Sequence, residues 1–187
     1  MDFIKEIYFE DKIRTQKKEK VIKEIEICGK IVSFILLYKK VNREGDFASV
    51  ALYYPRLEKG KYKIEISLTF YNDFGQSSFR DIYFRLKNFL YHEIEHHYQK
   101  MRVPFREKLP KRNYLNLKDY LNSKSEIEAY SKSLYYIHKK TKISFTDLLI
   151  EECRISYSEN MQDLFISNVF DYLLNRKDLN LFKNIKF

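Results

Sequence analysis

The sequence predicts an α+β fold, and three observations carry that expectation. Residues 31 to 71 contain β-branched and aromatic runs that alternate in polarity. From Ser78 the apolar period changes to 3.6 residues and holds to Met101, and apolar residues at helical spacing return from Ser123 onwards. The architecture expected from this order is an antiparallel meander sheet of about three strands packed on one central helix, followed by a mainly helical C-terminal half.

Taken in order, residues 12 to 28 set Ile13, Val21, Ile22, Ile25 and Cys28 among many charges, which predicts an amphipathic helix. IVSFILLYKKV, 31 to 41, reads as a buried strand. Asn42 to Asp46 supplies Gly45 for a turn, FASVALYY at 47 to 54 alternates as a half-buried strand does, and Pro55 ends it. After a basic turn containing Gly60, residues 62 to 71 alternate again through Tyr62, Ile64, Ile66, Leu68 and Phe70. The helix from 78 to 101 follows, and Pro104 and Pro110 mark a connection. A second helix starts near Ser123. Two more, about 144 to 154 and 160 to 176, are carried by Leu148, Leu149, Met161, Leu164, Phe165, Val169, Phe170 and Leu173.

A chain of 187 residues with 44% hydrophobic content has the size and apolar surface of one domain. Charged residues, 33% of the total, are interspersed rather than blocked, which excludes a long disordered tail. The net charge of +9 would suit phosphate or nucleic acid, but lysines such as Lys17, Lys18, Lys20, Lys39 and Lys40 are spread along the chain and serve to solvate surface. Nucleic acid is therefore the lesser expectation as a partner. The first residues show no apolar core followed by a small-residue cleavage site, and IVSFILL is far shorter than the roughly 20 residues a membrane helix needs. A cytoplasmic protein without membrane contact is expected. Cys28 and Cys153 are too few for a disulfide framework and read as reduced, buried thiols.

The chemistry lies in LKNFLYHEIEHHYQK, which contains H-E-x-x-H as His92, Glu93 and His96. Residues four apart stack on one helix face, so the two imidazoles can converge on one tetrahedral ion, zinc being the expected metal. Glu93 projects roughly 100° from His92, within reach of a water on that ion without ligating it. With four histidines in the chain, chance occurrence of the pattern is on the order of one in a hundred. On a helical wheel with Ile82 at zero, His92 and His96 fall at roughly 280° and 320°, between the stripe of Tyr83, Leu86, Phe89 and Leu90 and a second aromatic stripe of Phe84, Tyr91 and Tyr98. His97, at roughly 60°, belongs to the apolar face and is a core or supporting histidine.

HEIEH also satisfies the inverted pattern H-x-x-E-H with Glu95 as base. Glu93 is favoured, because it lies at the edge of the apolar face, whereas Glu95 points with Asn88 and Gln99 to the polar side as a solvated charge. The metzincin extension is excluded by Gln99 and Arg102, which stand where it requires Gly and His. The third ligand is expected from KSEIEAYSKSLYYIHKK. Ser123 and Glu126 form a capping box, which gives Glu126 a structural task and leaves Glu128, beside the small Ala129, free to ligate. Tyr130, Tyr135 and His138 are open candidates for an oxyanion-stabilising group.

Together HEIEHH and EIEAYS resemble the gluzincin group of zinc metallopeptidases, and more closely short zincin-like proteins, many of them from phage genomes, in which an HExxHH helix precedes an EIEA-type helix. The resemblance covers these two motifs alone. It implies a single zincin-like domain, in which the periodicities put a helix and meander at 1 to 75, the metal-site helices at 78 to 140 and further helices at 141 to 187. It also implies His92, His96 and Glu128 as zinc ligands, Glu93 as general base, a peptide or protein substrate, and a strand near 62 to 71 that borders the substrate cleft. Gluzincins often carry an Asp shortly after the ligand Glu, whereas Tyr130, Ser131, Lys132 and Ser133 follow here. Hydrolysis of a peptide bond is the leading expectation. The alternative is a non-catalytic structural or binding protein that retains the fold, such as a virion component or a basic nucleic-acid accessory.

Overall fold

A computed structural model describes residues 19–45, 47–54, 61–72, 79–102 and 117–175. Its elements run β1 (Glu19–Ile27), β2 (Lys30–Lys40), β3 (Phe47–Tyr54), β4 (Tyr62–Phe70), α1 (Phe79–Arg102), α2 (Leu117–Leu121), α3 (Lys124–Thr141), α4 (Phe145–Ser156) and α5 (Glu159–Asn175). The fold is α+β with a helical C-terminal half, as expected. The chain forms two compact units, Met1–Arg102 and Val103–Phe187, with the boundary inside the stretch that the sequence groups as the metal-site block.

The first unit is built on a four-stranded mixed sheet of order β1-β2-β4-β3. This corrects the expected three-stranded meander in two ways. The segment expected to be helical is strand β1 over residues 19 to 27, paired antiparallel with β2 from Glu19↔Tyr38 to Ile27↔Lys30. The rest of that expected helix, 12 to 18, lies outside the described residues. Two consecutive positive φ values, 53° at Cys28 and 69° at Gly29, give the hairpin the turn geometry that matches strand twist. Charges spread evenly through 19 to 27 hide a period of two, so pairing to β2 decides the structure.

The second correction concerns strand order. β2 and β4 are parallel neighbours, and β3 pairs antiparallel with the far side of β4. A meander would place β3 at the centre, yet β3 has only Ala51 fully buried, while β2 buries Val32, Phe34, Leu36 and Tyr38 and β4 buries Ile64, Ile66, Leu68 and Phe70. The two most apolar strands take the centre. Consequently β4 is paired on both sides and has no free edge. Ile82 and Leu86 of α1 pack onto this apolar face and complete the core. Gly45, at φ 117°, precedes β3 where a Cβ would stand 3.3 Å from the Tyr71 ring.

In the second unit, Ser123 and Ser144 occupy the N-cap positions of α3 and α4, so both helices begin where their sequences indicate. α3 ends at Lys142, whose φ of 63° lets its N–H reach His138 O. The five-residue α2 was not expected, being too short to show a period. Asn168 of α5 donates to Leu121 O at 2.9 Å and ties that helix to α2. Tyr130 packs edge-on to Phe165 with ring centroids 5.0 Å apart, within a core that includes Leu134, Leu149 and Val169. No described helix is long and apolar enough to cross a membrane.

One of the two cysteines departs from expectation. Cys28 is exposed on the hairpin turn, and Cys153 is buried. Burial pushes the Cys153 thiol up to about 12, and the carboxylates of Glu152 and Asp163 add to it. A disulfide exchange reagent at neutral pH is expected to titrate Cys28 in the native protein and Cys153 only after denaturant is added. The core makes a second prediction. Leu68→Ala, at a position 1% exposed, should lower unfolding free energy by about 2–5 kcal/mol, whereas Val50→Ala, 37% exposed on the other sheet face, should cost about 0.5 kcal/mol or less in the same urea titration.

Candidate metal centre

Helix α1 contains no Gly or Pro, and Lys100 and Arg102 in its last turn complement its dipole. Its buried residues change character along its length. Ile82 and Leu86 are apolar, and they are followed by Asn88, His92, Glu93, Glu95, His96 and His97, all buried. Burying so many polar groups is costly unless each is partnered. Their partners define what this end of the helix does.

His97 is held from two directions. Its Nδ1 accepts from the Tyr53 hydroxyl at 2.9 Å, and its Nε2–H donates to Ile27 O at 3.2 Å. Burial keeps this imidazole below the usual histidine range and raises the Tyr53 phenol, so both partners are neutral. The rings of Tyr53 and Tyr62 meet it edge-on at 5.7 and 4.9 Å. The expected supporting role is the one the contacts describe.

His92 and His96 face each other. Their Nε2 atoms are 3.0 Å apart and their rings are nearly perpendicular, at 87° with centroids separated by 4.6 Å. Two ligand nitrogens of a tetrahedral zinc with bonds of 2.0–2.1 Å stand about 3.3 Å apart, so the pair is already close to ligand spacing. His96 Nδ1 meets Gln99 Oε1 at 2.9 Å.

His92, His96 and Glu126 form a buried group in which one ligand atom from each lies within 4.8 Å of the others, and this group could hold a metal ion. The third member is thus Glu126. Glu128, the expected ligand, stands outside the group. Its carboxylate pairs with Lys132 at 2.6 Å, and it is half-buried whereas Glu126 is buried. The capping box that would have occupied Glu126 is not formed from the Ser123 side. Ser123 makes no side-chain cap bond, its hydroxyl meets Ser125 Oγ at 2.9 Å, and its N–H donates to Tyr120 O. A signal for this exchange exists in the sequence. Glu126 heads a stripe with Tyr130, Ser133 and Ile137, all buried, whereas Glu128 and Lys132 are an i,i+4 acid–base pair typical of a helix surface.

Glu93 is buried and follows His92 directly in the chain. Glu95 is also buried, which corrects its reading as a solvated charge. Arg102 pairs with it at 3.2 Å and offsets its desolvation. The wheel places Glu95 opposite the core face of α1, but that helix buries its polar sector as well, as Asn88 shows. Tyr130 is absorbed into the helical core, and His138 Nδ1–H donates to Ile143 O at 2.6 Å to close α3. Tyr135 is half-buried beside His138. The chain matches no protein-family model, no curated protein and no solved structure.

Glu126 and Glu128 should separate cleanly on mutation. Glu126→Gln is expected to weaken metal binding roughly tenfold or more, and Glu128→Gln to leave it unchanged, when affinity is measured by competition with a chromophoric chelator.

Proposed function

We propose that the chain is a zinc-dependent hydrolase of peptide bonds, with His92, His96 and Glu126 as ligands and Glu93 as general base. The observation that carries this reading is the buried convergence of two imidazoles and one carboxylate. That donor set is the one catalytic zinc sites use, with three protein ligands and a position left for water or substrate, whereas structural sites close with four ligands and favour thiolates. The HEIEHH motif, and its resemblance to the gluzincins, favours zinc and a peptide substrate over other metals and amides.

When bound, such an ion supplies Lewis acidity, lowering the pKa of water towards neutrality and polarising a carbonyl. Glu93 accepts the proton that the attacking water gives up and returns it to the leaving amine. It is buried, follows His92 directly in the chain and is not a member of the ligand group. Glu95, engaged by Arg102, is the weaker candidate for that task.

Elemental analysis of purified protein at neutral pH is expected to find one zinc per chain. Glu93→Gln should keep that zinc while hydrolysis of a quenched-fluorescent peptide library falls by about 10²–10⁴-fold. Protein without metal would overturn the reading, as would an inactive Glu95→Gln beside an active Glu93→Gln. Stoichiometric zinc with no cleavage of any peptide would leave the non-catalytic binding protein in its place.

A further inference from the structure

Both ring nitrogens of His96 meet a polar atom, Nδ1 at 2.9 Å from Gln99 Oε1 and Nε2 at 3.0 Å from His92 Nε2. A neutral imidazole has one N–H and one lone pair, and a carbonyl oxygen can only accept. The His96 proton therefore lies on Nδ1, and the Nε2 lone pair points at His92. One amide oxygen thus fixes which nitrogen of His96 keeps its lone pair towards His92.

We propose that Gln99 is a positioning residue for metal capture, an inference that rests on the metal-centre reading above. Its carbonyl holds His96 in the tautomer and ring orientation that a metal ligand needs before any ion arrives. Gln99 follows His96 by three residues on α1, the spacing that brings side chains together on one helix face. Ligand histidines commonly give their second N–H to a carboxylate, a carbonyl or water, and loss of that partner weakens metal binding. Here a neutral amide does this next to a centre that already buries Glu93 and Glu126.

The test measures zinc affinity of the full chain by chelator competition for wild type, His96→Ala, Gln99→Leu and Gln99→Glu, with folding followed by circular dichroism. Gln99→Leu is expected to bind roughly 10- to 100-fold more weakly, and Gln99→Glu, which keeps an acceptor, at least as tightly as wild type. Long-range ¹⁵N–¹H spectra of the metal-free protein should show His96 as the Nδ1–H tautomer in wild type and Gln99→Glu, and a mixture in Gln99→Leu. Should Gln99→Leu fail to fold, Gln99→Ala supplies the same comparison. Wild-type affinity in the leucine or alanine variant, while His96→Ala loses the metal, would overturn the role of Gln99 alone. Weak binding by Gln99→Glu would overturn it too, since it would mean that the amide donates. Failure of wild type to bind zinc at all would sink the metal centre and this inference with it.

Discussion

The rotational setting of α1 against the sheet is the constraint on which the candidate centre depends. A slip of one residue would turn His92 by roughly 100°, so the helix must be clamped in angle as well as in position. Ile82 and Leu86 do the first part with apolar contact, which is non-directional. His97 does the second with two directional bonds, one to the Tyr53 hydroxyl on β3 and one to the Ile27 carbonyl at the end of β1. β1 and β3 are the outer strands of the sheet and are not neighbours in it. A single imidazole joins them and sits directly after His96, so the sheet's width is tied to the direction of the His96 side chain. The observed strand order matters for this reason: with β3 at the centre, Tyr53 would stand on a different strand position.

Electrostatics gives the centre its second property. Glu93, Glu95 and Glu126 are buried carboxylates, and burial of an ionised carboxylate is costly without a compensating charge. Glu95 has Arg102. On the proposed reading, a divalent cation among His92, His96 and Glu126 would lower that cost, and its binding energy would become folding energy. On that reading the carboxylates serve the site, since apolar residues of similar volume would stabilise the fold with less risk.

Much of this was legible in the sequence, and the losses have physical causes. The periods of two and 3.6 placed β2, β3, β4, α1, α3, α4 and α5 close to their observed ends, and HEIEHH gave the paired histidines with their spacing. β1 was lost because an exposed edge strand need not alternate cleanly, and Ile22 and Ile25, both exposed, blur its two faces. Strand order was lost because pairing is non-local and the hairpin assumption is only a default. Glu95 was misread because a wheel drawn from apolar residues cannot show a polar sector that is buried. Glu126 was assigned to a capping box whose sequence is present but whose bonds are not made by Ser123. In each case, tertiary context overrode a local rule.

The identity of residue 99 follows from the same charge count. A carboxylate there would accept from His96 Nδ1–H as well as an amide does, and would make the imidazole a stronger donor. A more strongly donating ligand leaves an ion less electron-deficient and so less able to acidify water. A carboxylate there would also add a further acid to a helix end that already buries Glu93 and Glu95. Gln99 supplies the orientation and adds no charge. On the proposed reading, an amide at this position orients His96 and leaves the ion electrophilic, which a hydrolytic centre needs.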